Sequence, residues 1–138
     1  MITEITKEAT LANIPHIMEW LDDALGSIDC PDKAHMQINV AADEILGNIV
    51  FYAYPDKAGD VTVRIDYQDG SGLFCMTFKD QGVPFDPLSV EDPDTTLGPE
   101  ERGIGGLGIF LIKKMMDVVS YEYKDGSNVL SISKSLFE

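Results

Sequence analysis

The chain has 138 residues, 44% of them hydrophobic and 25% charged, and a formal net charge of −14. That length suits one domain with a real core, here 1–138, and the composition is globular rather than disordered. No apolar run approaches the roughly 20 residues of a membrane span. The start MITEITKEAT lacks the basic and apolar parts of a signal peptide, and the acid excess argues against direct nucleic-acid binding, which needs clustered Lys and Arg.

A cytoplasmic protein is therefore expected, its acidity fitting either simple solubility or a basic protein partner. Met1–Lys7 reads as a short strand. Asn13 is placed to cap a helix through Leu25, with Pro15 in its first turn and Ile14, Ile17, Met18 and Leu21 as its apolar stripe; Gly26 ends it. A longer helix, Pro31–Tyr54, carries Ile38, Ala41, Ala42, Ile45 and Ile49 at helical spacing, and Pro55 closes it.

Val61–Tyr67 and Leu73–Lys79 alternate at period two around Asp69-Gly70-Ser71-Gly72, which predicts a hairpin. A proline-rich stretch, Val83–Glu101, has no periodicity. Gly106–Asp117 is the third helix, and Val118–Tyr123 with Val129–Ser135 forms a second hairpin around Asp125-Gly126-Ser127-Asn128. Helices grouped against hairpins predict an α+β fold: a two-layer α/β sandwich whose mixed, mostly antiparallel sheet is covered on one face by three helices.

Three segments carry chemistry. The first is Glu100–Asp117, where Gly103, Gly105, Gly106 and Gly108 run into a helix start. Backbone amides with no Cβ to block approach make an anion site suited to phosphate. The second is the helix pair Glu44 and Asn48, one turn apart on one face. The Asn48 amide oxygen is a hard ligand suited to Mg²⁺, which is usually held by few protein ligands plus phosphates and water. Glu44 is then placed to orient or deprotonate the group attacking a γ-phosphate. Alone, the pair also describes an ordinary exposed helix face.

The third segment is Asp80–Gly82. Asp80 shares its strand parity with Phe74, Met76 and Phe78, so its carboxylate should project from the core-facing side, where it needs a strong donor. An adenine amino group is one such donor, and Gly82 leaves room for the base. The competing reading is that Asp80 lies past the strand end and caps a turn. Between the glycine segments, the long loop Asp86–Gly103 suits a cover over bound nucleotide, with Arg102 either reaching a phosphate or solvated. His16 and His35 have no second metal ligand at suitable spacing and read as solvated or capping. Cys30 and Cys75 read as reduced structural thiols. Phe51, Tyr52, Phe85 and Phe110 read first as core, with Phe85 the one expected to touch nucleotide.

The boxes AADEILGNIVFYAY, KDQGVPFDP and RGIGGLGIFLIKKMMD, in this order, resemble the ATP-binding (GHKL) fold shared by DNA gyrase, the ninety-kilodalton heat-shock chaperone, sensor histidine kinases and mismatch-repair ATPases. Within it the chain is similar to the anti-sigma-factor serine/threonine kinases. The resemblance implies ATP and Mg²⁺ as cofactors, Glu44 as general base and Asn48 as metal ligand. It also implies a nucleotide site made by Asn48, Asp80, Gly82, Phe85, Arg102, Gly105, Gly106, Leu107 and Gly108. It implies a serine or threonine on a small STAS-type anti-sigma antagonist as substrate, a sigma factor or similar regulator as second partner, and a homodimer. Where that family carries a threonine pair after the last hairpin's glycine, this chain has Ser127 and Asn128. A nucleotide-dependent binding module that sequesters its partner without phosphoryl transfer is the alternative.

Overall fold

The computed structural model describes residues 1–89 and 106–137. Its sheet has strands β1 (Ile2–Glu8), β2 (Asp60–Gln68), β3 (Leu73–Asp80), β4 (Val118–Lys124) and β5 (Ser127–Ser135), in the spatial order β1-β2-β3-β5-β4. Every pairing among them is antiparallel, so the expected mixed sheet is a purely antiparallel one. Three helices, α1 (Ile14–Ser27), α2 (Asp32–Asn48) and α3 (Gly106–Met115), supply the second layer.

The period-two pattern decides which side of the sheet they cover. Val61, Val63, Ile65 and Tyr67 of β2 and Phe74, Met76 and Phe78 of β3 all point to the helix side and are buried. Against them lie Ile17, Leu21 and Leu25 of α1, Ile38, Ala42, Ile45 and Leu46 of α2, and Ile112 of α3. Each large apolar side chain buried in this way contributes roughly 1.5–3 kcal/mol of transfer free energy. The four alanines that α2 and its extension bury, Ala34, Ala41, Ala42 and Ala53, have no bulk to hold the helix off its neighbours.

Local details differ from expectation in three places. Asn13 precedes α1 in a helical conformation within a 3-10 turn (Leu11–Asn13) and makes no cap; its Nδ2 donates instead to the Glu8 carbonyl at 2.9 Å. Gly26 does not end α1. The stop is Asp29, in the left-handed region at φ 53°, with Cys30 N–H donating to the Leu25 carbonyl and Asp29 N–H to the Gly26 carbonyl. That is a Schellman closure with aspartate where glycine is usual. In the last hairpin, Asp125 (φ 53°) and Gly126 (φ 78°) alone form the turn, and Lys124 pairs with Ser127. Two successive positive φ values match the strand twist in a two-residue connection, so Ser127 and Asn128 are strand residues.

The end of α2 also departs from a simple helix. Pro31 is extended (ψ 144°) and stands outside it, and after Asn48 the chain widens into a π-helical turn, Ile49–Ala53. Such turns concentrate at functional sites. Here the core side of the turn is taken by Ile49 and Ala53, so Phe51 and Tyr52, expected in the core, are exposed instead.

Candidate functional site

A pocket opens between the C-terminal end of α2, its π turn and the adjoining ends of β3, β4 and β5. Ile45, Ile49, Phe78, Val83 and Leu130 form its apolar walls, and Asn48, Asp80, Tyr121 and Asn128 supply its polar groups. Tyr52 and Phe85 form the rim, their rings 6.0 Å apart and tilted by 31°, and Phe51 continues the aromatic run outward at 6.5 Å from Tyr52.

Asp80 is the buried charge of this pocket, 4% exposed at the end of β3 and on the helix side, as its parity predicts. Its Oδ1 accepts from the Gly82 N–H at 2.9 Å and from Asn128 Nδ2 at 2.9 Å. Oδ2 has no hydrogen bond among the described residues, although the side chain lines an apolar pocket. A carboxylate oxygen in such surroundings is costly without a donor. The register explains why Asn128 serves: it is the direct β5 partner of Asp80 and on the same face. Ser127, one residue away, meets Gln81 Nε2 at 3.4 Å instead.

Gly82 acts differently from the sequence expectation of space for a base. A Cβ on Gly82 would run into the carbonyl of Ala53, and that carbonyl accepts the Val83 N–H at 2.8 Å. Its missing side chain lets the turn after β3 dock on the π turn. Tyr54 holds the same junction from the other side: its hydroxyl donates to the Asp60 carbonyl at 2.6 Å and accepts the Gln81 N–H at 2.8 Å. Burial pushes the Tyr54 phenol above its ordinary range, and burial does the same to Tyr121.

Asn48 lines the pocket, and its amide has no hydrogen bond among the described residues. Glu44, one turn earlier on α2, is half-buried and lies against α3, where a Cβ on Gly108 would overlap its carboxyl group. The structure thus puts Asp80 and Asn48 in the lining of one pocket with Phe85 at its rim, while Glu44, one turn before Asn48 on α2, meets Gly108 of α3. Arg102, Gly103 and Gly105 lie outside the described residues, as do the cover loop beyond residue 89 and the side chain of Leu107. Tyr52 and Tyr121 are pocket residues not singled out as binding groups in the sequence; of Ser127 and Asn128, the two candidates to stand in for the family's threonine pair, Asn128 lines the pocket. His35, read as solvated or capping, joins α2 to α1 through Nε2 and Asp22 Oδ1 at 2.8 Å. No cluster of three His, Cys, Asp or Glu side chains suited to a metal occurs among the described residues.

The profile described as the histidine kinase-like ATPase domain matches residues 7–134. The chain belongs to that family. It is 26% identical to the serine/threonine-protein kinase BtrW of Bordetella bronchiseptica over 130 residues, 94% of this chain and 89% of that protein. It is 32% identical to the serine-protein kinase RsbW of Listeria innocua over 71% of this chain, a match that spans 64% of RsbW. The family member is therefore related to protein-serine/threonine kinases. Its fold superposes on a crystal structure of the RsbU and RsbW domains of a Mycobacterium tuberculosis protein with a TM-score of 0.71 at 15% identity, over 99% of this chain and 32% of that one. No described helix is long and apolar enough to cross a membrane.

Proposed function

We propose that the chain is an ATP-dependent protein-serine/threonine kinase of the anti-sigma type, with its nucleotide site in the pocket below the π turn. The observation that carries this is Asp80: a buried residue in a pocket with largely apolar walls, one carboxylate oxygen accepting two hydrogen bonds and the other accepting none among the described residues. A purine with an exocyclic amino group supplies the missing donor, and Ile45, Ile49 and Leu130 supply its apolar contact. The kinship with an ATPase domain family supports ATP as that ligand.

Magnesium fits the donor set as a lightly held ion. Asn48 offers one hard oxygen in the pocket lining, and Mg²⁺ usually takes its other ligands from phosphates and water. When bound, the ion would neutralise charge on the transferring phosphoryl group. Glu44 stands a turn nearer the start of α3 and would take the proton of the attacking hydroxyl. The amides of Gly106, Leu107 and Gly108 open α3 and would face the phosphates; Gly105 and Arg102, outside the described residues, are proposed as further phosphate-binding residues.

The kinship with serine/threonine-protein kinases supports a protein serine or threonine as acceptor; a small STAS-type antagonist as the protein that bears it, a sigma factor or similar regulator as the sequestered partner and a homodimer as the working form extend the sequence resemblance. The test is phosphotransfer from γ-labelled ATP into a soluble extract of the source cell, with Glu44→Gln beside the wild type. A small protein labelled by the wild type alone is the expected result. ATP binding without any labelled protein would replace the kinase reading with that of a nucleotide-dependent binding module.

A further inference from the structure

Asn128 spends its whole hydrogen-bonding capacity inside the protein. Nδ2 donates to Asp80 Oδ1 and to the Val83 carbonyl, each at 2.9 Å. Oδ1 accepts the Phe85 N–H at 3.1 Å and the Tyr121 hydroxyl. An amide has two donors and two acceptor lone pairs, so none is left for a ligand. The amide's orientation is also determined: reversed, its oxygen would face Asp80 Oδ1 and the Val83 carbonyl, and its NH₂ would face the Phe85 N–H.

We infer that Asn128 is the positioning residue that sets which base this pocket accepts, acting through Asp80 and the Val83–Phe85 segment without touching nucleotide. The inference rests on the nucleotide site proposed above. By occupying Oδ1 together with the Gly82 N–H, Asn128 leaves Asp80 a single oxygen, and that oxygen can only accept. A 6-amino purine satisfies it, whereas a 6-oxo purine sets oxygen against oxygen. The same amide ties Val83 and Phe85 to β5, so the wall and rim of the pocket are placed by the group that orients the carboxylate.

Two variants separate these roles. Asn128→Ala removes all four bonds. Asn128→Asp keeps the side chain's size and the acceptor for Phe85 and Tyr121, but loses both donations and sets a second carboxyl against Asp80. Affinities for ATP and inosine triphosphate are measured by calorimetry, with melting curves and amide exchange at Phe85 on the same samples. In both variants ATP affinity is expected to fall about tenfold while that for inosine triphosphate changes less than about threefold, so discrimination narrows. Exchange at Phe85 should accelerate in Asn128→Ala and stay slow in Asn128→Asp. An unchanged ratio of the two affinities in the folded Asn128→Asp protein, with wild type binding ATP, overturns the inference. Wild-type protein that binds no ATP overturns the proposed function first, and the inference with it.

Discussion

Gly82 lies so close to Ala53 that any side chain at position 82 would be driven into the Ala53 carbonyl, the same oxygen that accepts the Val83 N–H. This contact joins the turn after β3 to the π turn after α2 and brings two sequence boxes to one pocket. Backbone against backbone has no flexible end to yield. Gly82→Ala should therefore destabilise the fold by about 1–3 kcal/mol in urea denaturation and weaken ATP binding as Val83 leaves the wall. Gly26→Ala is the control. Nothing lies within 4 Å of a Cβ there, and a helical alanine should raise stability by up to about 1 kcal/mol.

Asp80→Asn keeps an Oδ1 acceptor for Gly82 and Asn128 while replacing the free acceptor by an NH₂ donor. The fold should survive with little change in melting temperature. ATP affinity should fall by about a hundredfold, because a donor then faces a donor. Calorimetry reads it; undiminished affinity would place the base elsewhere.

Gly108→Ala sets a methyl group where the Glu44 carboxyl lies. The neighbour here is the far end of a flexible side chain, so it can swing aside, and alanine suits a helix better than glycine by about 1 kcal/mol. Stability should hold or rise slightly. Phosphotransfer should drop at least about tenfold because the proposed proton acceptor is displaced, and ATP affinity should fall by a smaller factor, since the new methyl crowds the phosphate end while the base pocket is untouched. Single-turnover labelling beside calorimetry separates the two.

The Tyr54 hydroxyl bridges the Asp60 carbonyl and the Gln81 N–H, and Tyr54→Phe should cost about 0.5–1.5 kcal/mol, since water can reach both groups once the hydroxyl is gone. It should also alter the alkaline limb of stability. Burial chiefly holds the folded Tyr54 phenol above its ordinary value of 10.0; the Gln81 bond opposes it, and Asp80 and Asp60 add smaller upward pushes. The folded state then binds more protons than the unfolded one in this range, so stability is full below pH 10 and lost as pH rises past it. Tyr121 adds to the same limb. Denaturation between pH 8 and about 11 should show a fall that is shallower in Tyr54→Phe.

At the acid end, Asp22 is held below its ordinary value of 3.8, mainly by its hydrogen bond to His35. Its contribution is present above that value and lost as pH falls through the lower folded value. The pair is largely solvent-exposed, so Asp22→Asn should change stability by only a few tenths of a kcal/mol, and salt should shrink the effect further.

Legibility followed the range of the interaction. The alternation in β2 and β3 is a local pattern, and it correctly put Asp80 on the buried face beside Phe74, Met76 and Phe78. The stripe Ile38, Ala41, Ala42, Ile45 and Ile49 likewise turned Asn48 toward the core edge and left Glu44 one turn away. Both patterns are dictated by the geometry of a single element, so a reader of the chain could recover them.

Other features depended on partners distant in the chain. Nothing near Asp29 announces that it, not Gly26, closes α1, because the left-handed turn is selected by the carbonyls it satisfies. Phe51 and Tyr52 look like core residues until the π turn gives that side to Ile49 and Ala53. Asn128 looked like a turn residue, and only the two-residue turn at Asp125-Gly126 moves it into register with Asp80. Periodicity and motif spacing thus contain the strands, the helices and the class of chemistry, since each is a property of neighbouring residues. The bonding of Asp80 by Asn128, the docking of Gly82 on Ala53 and the meeting of Glu44 with Gly108 arise from packing between separate elements, which no local pattern encodes.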